Sequence, residues 1–146
     1  MKKMNRGFSL LELLIVVAII LIIATIAIPS LLKSRQAAHE AAAVGTLKTI
    51  NTAEVTYLTT ANGRFGGLSD LINNQLIGSH FGTGPVSGYN FAISLNATST
   101  DFTITAEPAS VNDGRYGYYI TVDGTVRYST IASLAPGGSV GAAVNQ

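Results

Sequence analysis

The chain has no cysteine and no tryptophan, and only 12% of its 146 residues are charged. Without cysteine there is no disulfide framework, no thiolate metal site and no thiol nucleophile. The two histidines, His39 and His80, lie far apart, and no HxxxH or HExxH spacing occurs, so no metal ligand set is expected. Gly63, Gly66 and Gly67, like Gly82, Gly84 and Gly88, do not follow a strand and open a helix as a phosphate loop would; they read as turn glycines. No triad, carboxylate pair or nucleophile elbow is visible. An enzyme therefore has no residues behind it, and no cofactor is expected. Positive charge is scarce as well: the formal net charge is +1, and without Lys2, Lys3 and Arg6 six basic residues remain against eight acidic ones. A chain of that balance is a poor polyanion binder, and no specific nucleic acid is expected as a partner.

What the chain does have is one long apolar run. From Phe8 to Ile28 the only charge is Glu12. As a helix rising ~1.5 Å per residue, this run spans about 30 Å, the hydrocarbon thickness of a bilayer. Lys2, Lys3 and Arg6 lie just before it, so the positive-inside rule places the N-terminus in the cytoplasm and everything after Ile28 outside it. An ordinary secretory signal fits less well, because its apolar stretch is usually ~7–15 residues long. A cut after Thr25-Ile26-Ala27 would also leave Pro29 close behind. Glu12 is the informative residue. A carboxylate in hydrocarbon is costly and is kept where it has a partner or a role. No cation shares its face within the run, so its partner must come from elsewhere, unless it lies near enough to the headgroups to stay wet.

These residues carry a resemblance. Lys2-Lys3, then Arg6-Gly7-Phe8-Ser9-Leu10-Leu11-Glu12-Leu13-Leu14, resembles the class III signal of type IV prepilins and type II secretion pseudopilins. The long aliphatic run and Pro29 extend the likeness over about the first thirty residues. The resemblance implies cleavage between Gly7 and Phe8 by prepilin peptidase and N-methylation of the new Phe8 amine. It also implies that Glu12 pairs with the Phe8 amine of a neighbouring subunit during assembly. The physics agrees, since positions i and i+4 lie one above the other on a helix, and a stagger between subunits brings ammonium to carboxylate. Such a pair offsets two desolvation penalties at once, and a misregistered subunit leaves both charges unpartnered.

Beyond the run, Pro29 is expected to kink the helix, having no amide hydrogen to donate. From Ser30 to Ala61 the pattern turns amphipathic. Val44, Leu47, Ile50 or Asn51, Glu54, Tyr57 and Leu58 form the stripe, with Lys33, Arg35, Glu40 and Lys48 elsewhere. Ala37, Ala38 and Ala41 to Ala43 favour helix, and Asn62-Gly63 ends it. A short helix over Leu68 to Ile72, capped by Ser69, and turns at Gly78, Gly82, Gly84 and Pro85 come next. Three or four strands follow. Tyr89, Phe91, Ile93 and Leu95 alternate with polar or small residues, as do Phe102, Ile104 and Ala106, and then Tyr118, Ile120 and Val122. Asp123-Gly124 signals a hairpin into Thr125 to Tyr128. The order of these segments also resembles the head of pilin-like proteins. It lacks the cysteine pair of many type IVa major pilins and the aspartate-rich calcium loop of the major pseudopilin.

Smaller signals point to local structure. His39 reads as helix surface and His80 as loop, both solvated. Asp101, Asp113 and Asp123 sit in turns that favour aspartate, and a calcium site built from them is the rival reading. Four of the six tyrosines fall between Tyr116 and Tyr128 and read as sheet packing. Asn96-Ala97-Thr98 fits a glycosylation sequon, a triplet common by chance.

The expected fold is α+β and pilin-like: a long N-terminal helix, half transmembrane and half amphipathic, packed on a small antiparallel β-sheet. Its parts are a leader (1–7), a transmembrane and filament-core helix (8–28), an amphipathic helix (29–61), a globular head (62–134) and a flexible tail (135–146). The resemblance implies a non-enzymatic subunit of a type IV pilus-like filament, with the precursor in the inner membrane and the assembled filament at the cell surface. Its implied partners are identical or related subunits, prepilin peptidase and the pilus assembly machinery. The site residues are Gly7 and Phe8 for processing, Phe8 and Glu12 for assembly, and Pro29 for the kink. One alternative is a pseudopilin of a type II secretion system; another is a single-span anchored periplasmic binding module, which would have no use for Glu12.

Overall fold

A computed structural model describes residues 8–129 and 142–144. The leader with Gly7, and most of the expected tail, lie outside the described residues. The chain divides between Ser34 and Arg35 into two compact units.

Helix α1 (Leu10–Thr60) begins in the first unit and carries Pro29 inside it. Proline at 29 deprives the Thr25 carbonyl of its usual donor four residues on. The nearby hydroxyls are satisfied within the helix: Thr25 Oγ1 donates to Ile22 O at 2.7 Å and Ser34 Oγ to Ser30 O at 3.0 Å. Every large apolar side chain from Phe8 to Leu32 is exposed. An apolar surface this extensive is not stable in water and marks a membrane or protein contact. The helix is long and apolar enough to cross a membrane.

In the second unit α1 buries Glu40, Ala43, Leu47, Ile50, Ala53 and Glu54. Their spacing of three and four residues makes one stripe, as the period of a helix requires. Two of the residues expected on that stripe, Tyr57 and Leu58, are only partly buried, while Ala43 and Ala53 are buried in it. On the opposite face Thr49, Thr52, Thr56 and Thr59 are exposed, and each hydroxyl donates to a carbonyl one turn back at 2.7–3.1 Å. The helix ends as expected. Asn62 and Gly63 take φ of 54° and 76°, and the Gly63 amide donates back to Leu58 O at 3.2 Å. This left-handed turn satisfies a carbonyl that the helix has orphaned.

Helix α2 (Leu68–Asn73) is capped differently from expectation. Ser69 lies inside it. Gly67 holds the cap position, and the Asp70 side chain reaches back to accept the Gly67 amide at 2.8 Å. A short 3₁₀ turn (Ser79–Gly82) follows.

Five strands then form one antiparallel sheet in sequential order: β1 (Tyr89–Leu95), β2 (Phe102–Pro108), β3 (Gly117–Thr121), β4 (Val126–Ser129) and β5 (Ala142–Ala143). The register aligns Ile93, Ile104, Ile120 and Val126 in one row across four strands. With Leu47 and Ile50 of α1, the inner members of that row build the core. Such cross-strand rows are the unit of sheet stability. Val122, expected on the inner face, is instead 54% exposed. Asp123 takes hydrogen bonds from Thr121 Oγ1 and the Thr125 amide, which turns the chain and pulls Val122 out of the ladder. Tyr119 is fully buried beside Tyr118 and Ile120, so β3 is covered on both faces and does not alternate. Of the expected tail, Ala142 and Ala143 pair with Tyr128 and Arg127 of β4.

Because the second unit has its own core, a chain starting at Gln36 is expected to be a folded, soluble monomer. Size-exclusion chromatography and circular dichroism check this; an unfolded or aggregated product would mean that the head depends on the apolar segment.

Candidate functional site

The apolar segment presents Phe8 at 80% exposure, just before α1 begins. Helices start with orphaned amide hydrogens, and here Glu12 supplies one acceptor. Its Oε2 accepts the Ser9 amide at 3.0 Å. Ser9 stands where a capping residue stands, and Glu12 is the third helical residue, so the contact is one half of a capping box. No cation is seen against Glu12 among the described residues, and a backbone donor within the chain thus engages one oxygen. The S-x-x-E spacing of Ser9 and Glu12 was the signal that could have revealed it. Gly7 lies outside the described residues, so Phe8, Glu12 and Pro29 are the site residues that the structure places, all on or beside α1.

In the head, the residues with candidate chemistry are tied into structural contacts. Glu40, expected away from the stripe, is 7% exposed. It accepts three hydrogen bonds from Arg115: the backbone amide at 2.9 Å and Nε at 3.1 Å on Oε1, and Nη2 at 3.0 Å on Oε2. This fork explains how a carboxylate tolerates burial. His39, expected on the helix surface, has a side chain only 20% exposed, with Nδ1 3.4 Å from Asp113 Oδ1. Asp123 is gripped by Arg127, with Nη2 at 2.6 Å from Oδ2, and that guanidinium holds its carboxyl well below the usual range. Asp101 Oδ1 accepts the Phe102 amide at 2.8 Å. The three turn aspartates thus have separate partners, and no group of three or more metal-holding side chains occurs among the described residues. Asn96 of the sequon organises its own turn, its Oδ1 accepting the Thr100 and Asp101 amides at 2.8 and 3.2 Å.

Glu54 is fully buried. Its Oε2 accepts the Gly66 amide at 3.0 Å, while Oε1 has no hydrogen-bond partner. Burial pushes its pKa up, the Gly66 amide pulls it down, and the nearby Asp70 charge pushes it up again. Gly66 must be glycine for this approach, because a β-carbon would lie 2.9 Å from the Tyr57 ring and 3.0 Å from Asp70 Cβ. The tyrosines pack as expected. Tyr89 and Tyr119 are fully buried, Tyr116 and Tyr128 meet edge to face at 5.3 Å, and burial pushes the Tyr118 phenol up to about 12.

Residues 2–28 match the family described as the prokaryotic N-terminal methylation motif. The type IV major pilin protein PilA of Myxococcus xanthus (strain DK1622) is 47% identical to this chain over 53 residues. That stretch takes in 36% of this chain and 24% of the relative, so the chain spans about a quarter of the length of the curated relative it matches. No solved structure matches the chain. The matched motif lies at the start of the long apolar helix α1, and over that N-terminal stretch the chain is similar to a type IV pilin.

Proposed function

We propose that this chain is the structural subunit of a type IV pilus-like filament. It is made as a precursor anchored in the inner membrane, cut between Gly7 and Phe8 by prepilin peptidase, methylated at Phe8 and polymerised with copies of itself through α1. One observation carries the reading: a run of exposed apolar side chains from Phe8 to Leu32 whose single charge is Glu12. Lipid satisfies such a surface before assembly, and the same surface of neighbouring copies satisfies it afterwards. Glu12 gives the assembled state its register. One of its oxygens already serves the helix end, and the other, without a hydrogen bond among the described residues, would take the Phe8 ammonium of a neighbour. The head gives the filament its outer surface.

Intact-mass analysis of protein from membranes with active prepilin peptidase is expected to show loss of residues 1–7 and one added methyl group. Recovery of the uncut chain would sink the processing step. Filament imaging then distinguishes a surface pilus from the short periplasmic filament of a pseudopilin.

A further inference from the structure

The head also holds a hollow that assembly through α1 does not use. It lies at the end of the sheet where β3 begins and β4 ends, has a volume of about 160 Å³, and is lined by Tyr116, Tyr118, Tyr128 and Val144. Tyr118 and Tyr128 are paired across β3 and β4, and the Tyr116 ring meets that of Tyr128 edge to face at 5.3 Å. Arg115 Cζ stands 5.2 Å from the centre of the Tyr116 ring. Glu40 holds its Nε and Nη2, which leaves Nη1 without a hydrogen bond among the described residues.

Tyr118 is only 7% exposed, yet neither its hydroxyl nor those of Tyr116 and Tyr128 has a hydrogen-bond partner among the described residues. Tyr89, the fourth tyrosine of the cluster, has given its own to Tyr116 O at 2.9 Å. A nearly buried hydroxyl without a partner is costly, and an incoming acceptor would remove that cost. Burial holds the Tyr118 phenol protonated, its pKa pushed up to about 12, so it stays a donor. The hollow thus offers ring faces, three hydroxyls and one guanidinium N–H. No carboxylate or carboxamide lines it, and Glu40 matches the Arg115 charge. A cation is a poor guest, because a guanidinium already stands over Tyr116. A sugar, with as many O–H donors as acceptors, would meet no carboxylate or carboxamide to receive them. The complementary ligand has apolar rings and carbonyl acceptors but few donors. A proline-rich chain answers that description. Proline has no amide hydrogen, and a polyproline II helix leaves its carbonyls free of internal hydrogen bonds. Aromatic-lined grooves are where such chains dock. The volume suits a ring of that size and falls below the ~300–1,000 Å³ of sites for whole drug-sized molecules.

We propose that this tyrosine hollow docks a proline-rich segment of another protein, held in the polyproline II form. A proline ring lies against the Tyr116 and Tyr128 faces, and neighbouring carbonyls accept from the Tyr118 hydroxyl and Arg115 Nη1. The stiffness of such a segment keeps the ordering cost of binding low, which a contact this small requires. The four prolines of this sequence, Pro29, Pro85, Pro108 and Pro136, stand singly, so it does not itself carry a segment of that kind.

The test titrates the full chain in detergent micelles with a decaproline peptide and follows tyrosine fluorescence, which is readable because the chain has no tryptophan. A saturable change is expected with decaproline and none with a Gly-Ser peptide of equal length. Tyr128→Ala, which removes one wall, is expected to weaken binding about tenfold or more. Tyr118→Phe keeps the ring and loses only the unpartnered hydroxyl, so it is expected to fold as before and to bind about three- to tenfold more weakly, the scale of one neutral hydrogen bond. No saturable change with decaproline overturns the proposal, as does an equal change with the Gly-Ser peptide or undiminished binding by Tyr118→Phe. Cellopentaose that binds and displaces decaproline would assign the hollow to a sugar and overturn it too. Where Tyr128→Ala fails to fold, Tyr118→Phe decides alone, because its hydroxyl has no partner in the fold to lose.

Discussion

Cells whose only subunit carries Glu12→Leu are expected to accumulate cleaved protein in the membrane and to build few filaments. The substitution removes the one charge of the apolar run, so insertion should not suffer, and the proposed cut at Gly7 lies outside that run. Assembly is where the loss falls, because a neighbour's Phe8 ammonium would enter the filament core without a carboxylate. Leaving one member of a buried pair unpartnered typically costs ~3–5 kcal/mol. The contact to the Ser9 amide complicates this variant, since leucine also removes a helix cap. Glu12→Gln separates the two roles. Its amide oxygen can still accept from Ser9, but it carries no charge for the ammonium. If charge pairing sets the register, both variants fail alike. If capping is what matters, Glu12→Gln assembles and Glu12→Leu does not. Normal filament numbers for both, counted by electron microscopy, would mean that Glu12 lies wet among the headgroups and makes no assembly contact.

The head is expected to lose stability as the pH rises from acid towards about 8, and Glu54→Gln is expected to abolish that loss. Burial raises the Glu54 pKa, so the folded chain holds this proton more tightly than the unfolded chain does. Stability from that difference is complete below the unfolded pKa and disappears as pH rises through the folded one. Each tenfold difference in proton affinity is worth about 1.4 kcal/mol. In a domain of this size that moves the melting temperature by roughly 4–8 °C. Asp123 has the opposite sign: its pKa is lowered, so its contribution is present above the ordinary carboxylate range and is lost in strong acid. The two effects therefore occupy different pH windows. Thermal melts followed by circular dichroism at several pH values read the result. A wild-type midpoint that does not fall above pH ~5, a pH already past the ordinary Glu range, would mean that Glu54 is comfortably ionised in the fold.

How much of this was legible depends on how local each signal was. The apolar run, the amphipathic stripe through Leu47 and Ile50, the Asn62-Gly63 stop and the Asp123-Gly124 hairpin depend on residues close in sequence, and their positions were readable from spacing alone. Glu40 was not. Its burial depends on Arg115, a partner 75 residues away, and nothing around Glu40 distinguishes it from a solvated helix residue. His39 was misread for the same reason, its neighbour Asp113 being fixed by a distant turn. The cap of α2 was misassigned because Ser69 is the commoner capping residue, whereas Asp70 reaching back to Gly67 does the same work from inside the helix. Burial of β3 on both faces likewise needs knowledge of what lies over Tyr119. The Ser9–Glu12 cap is as local as the Asn62-Gly63 stop, resting on the S-x-x-E spacing at the start of α1.

The column of Thr49, Thr52, Thr56 and Thr59 has its own consequence. Each hydroxyl hydrogen is already given to the helix backbone, so what the column offers outward is chiefly methyl groups and spare lone pairs. Covering it strands no donor, and water leaves it at little cost. A face of that kind discriminates by contour and hardly at all by chemistry. A neighbour laid on it would meet shape first, and its own donors would find only lone pairs to answer them.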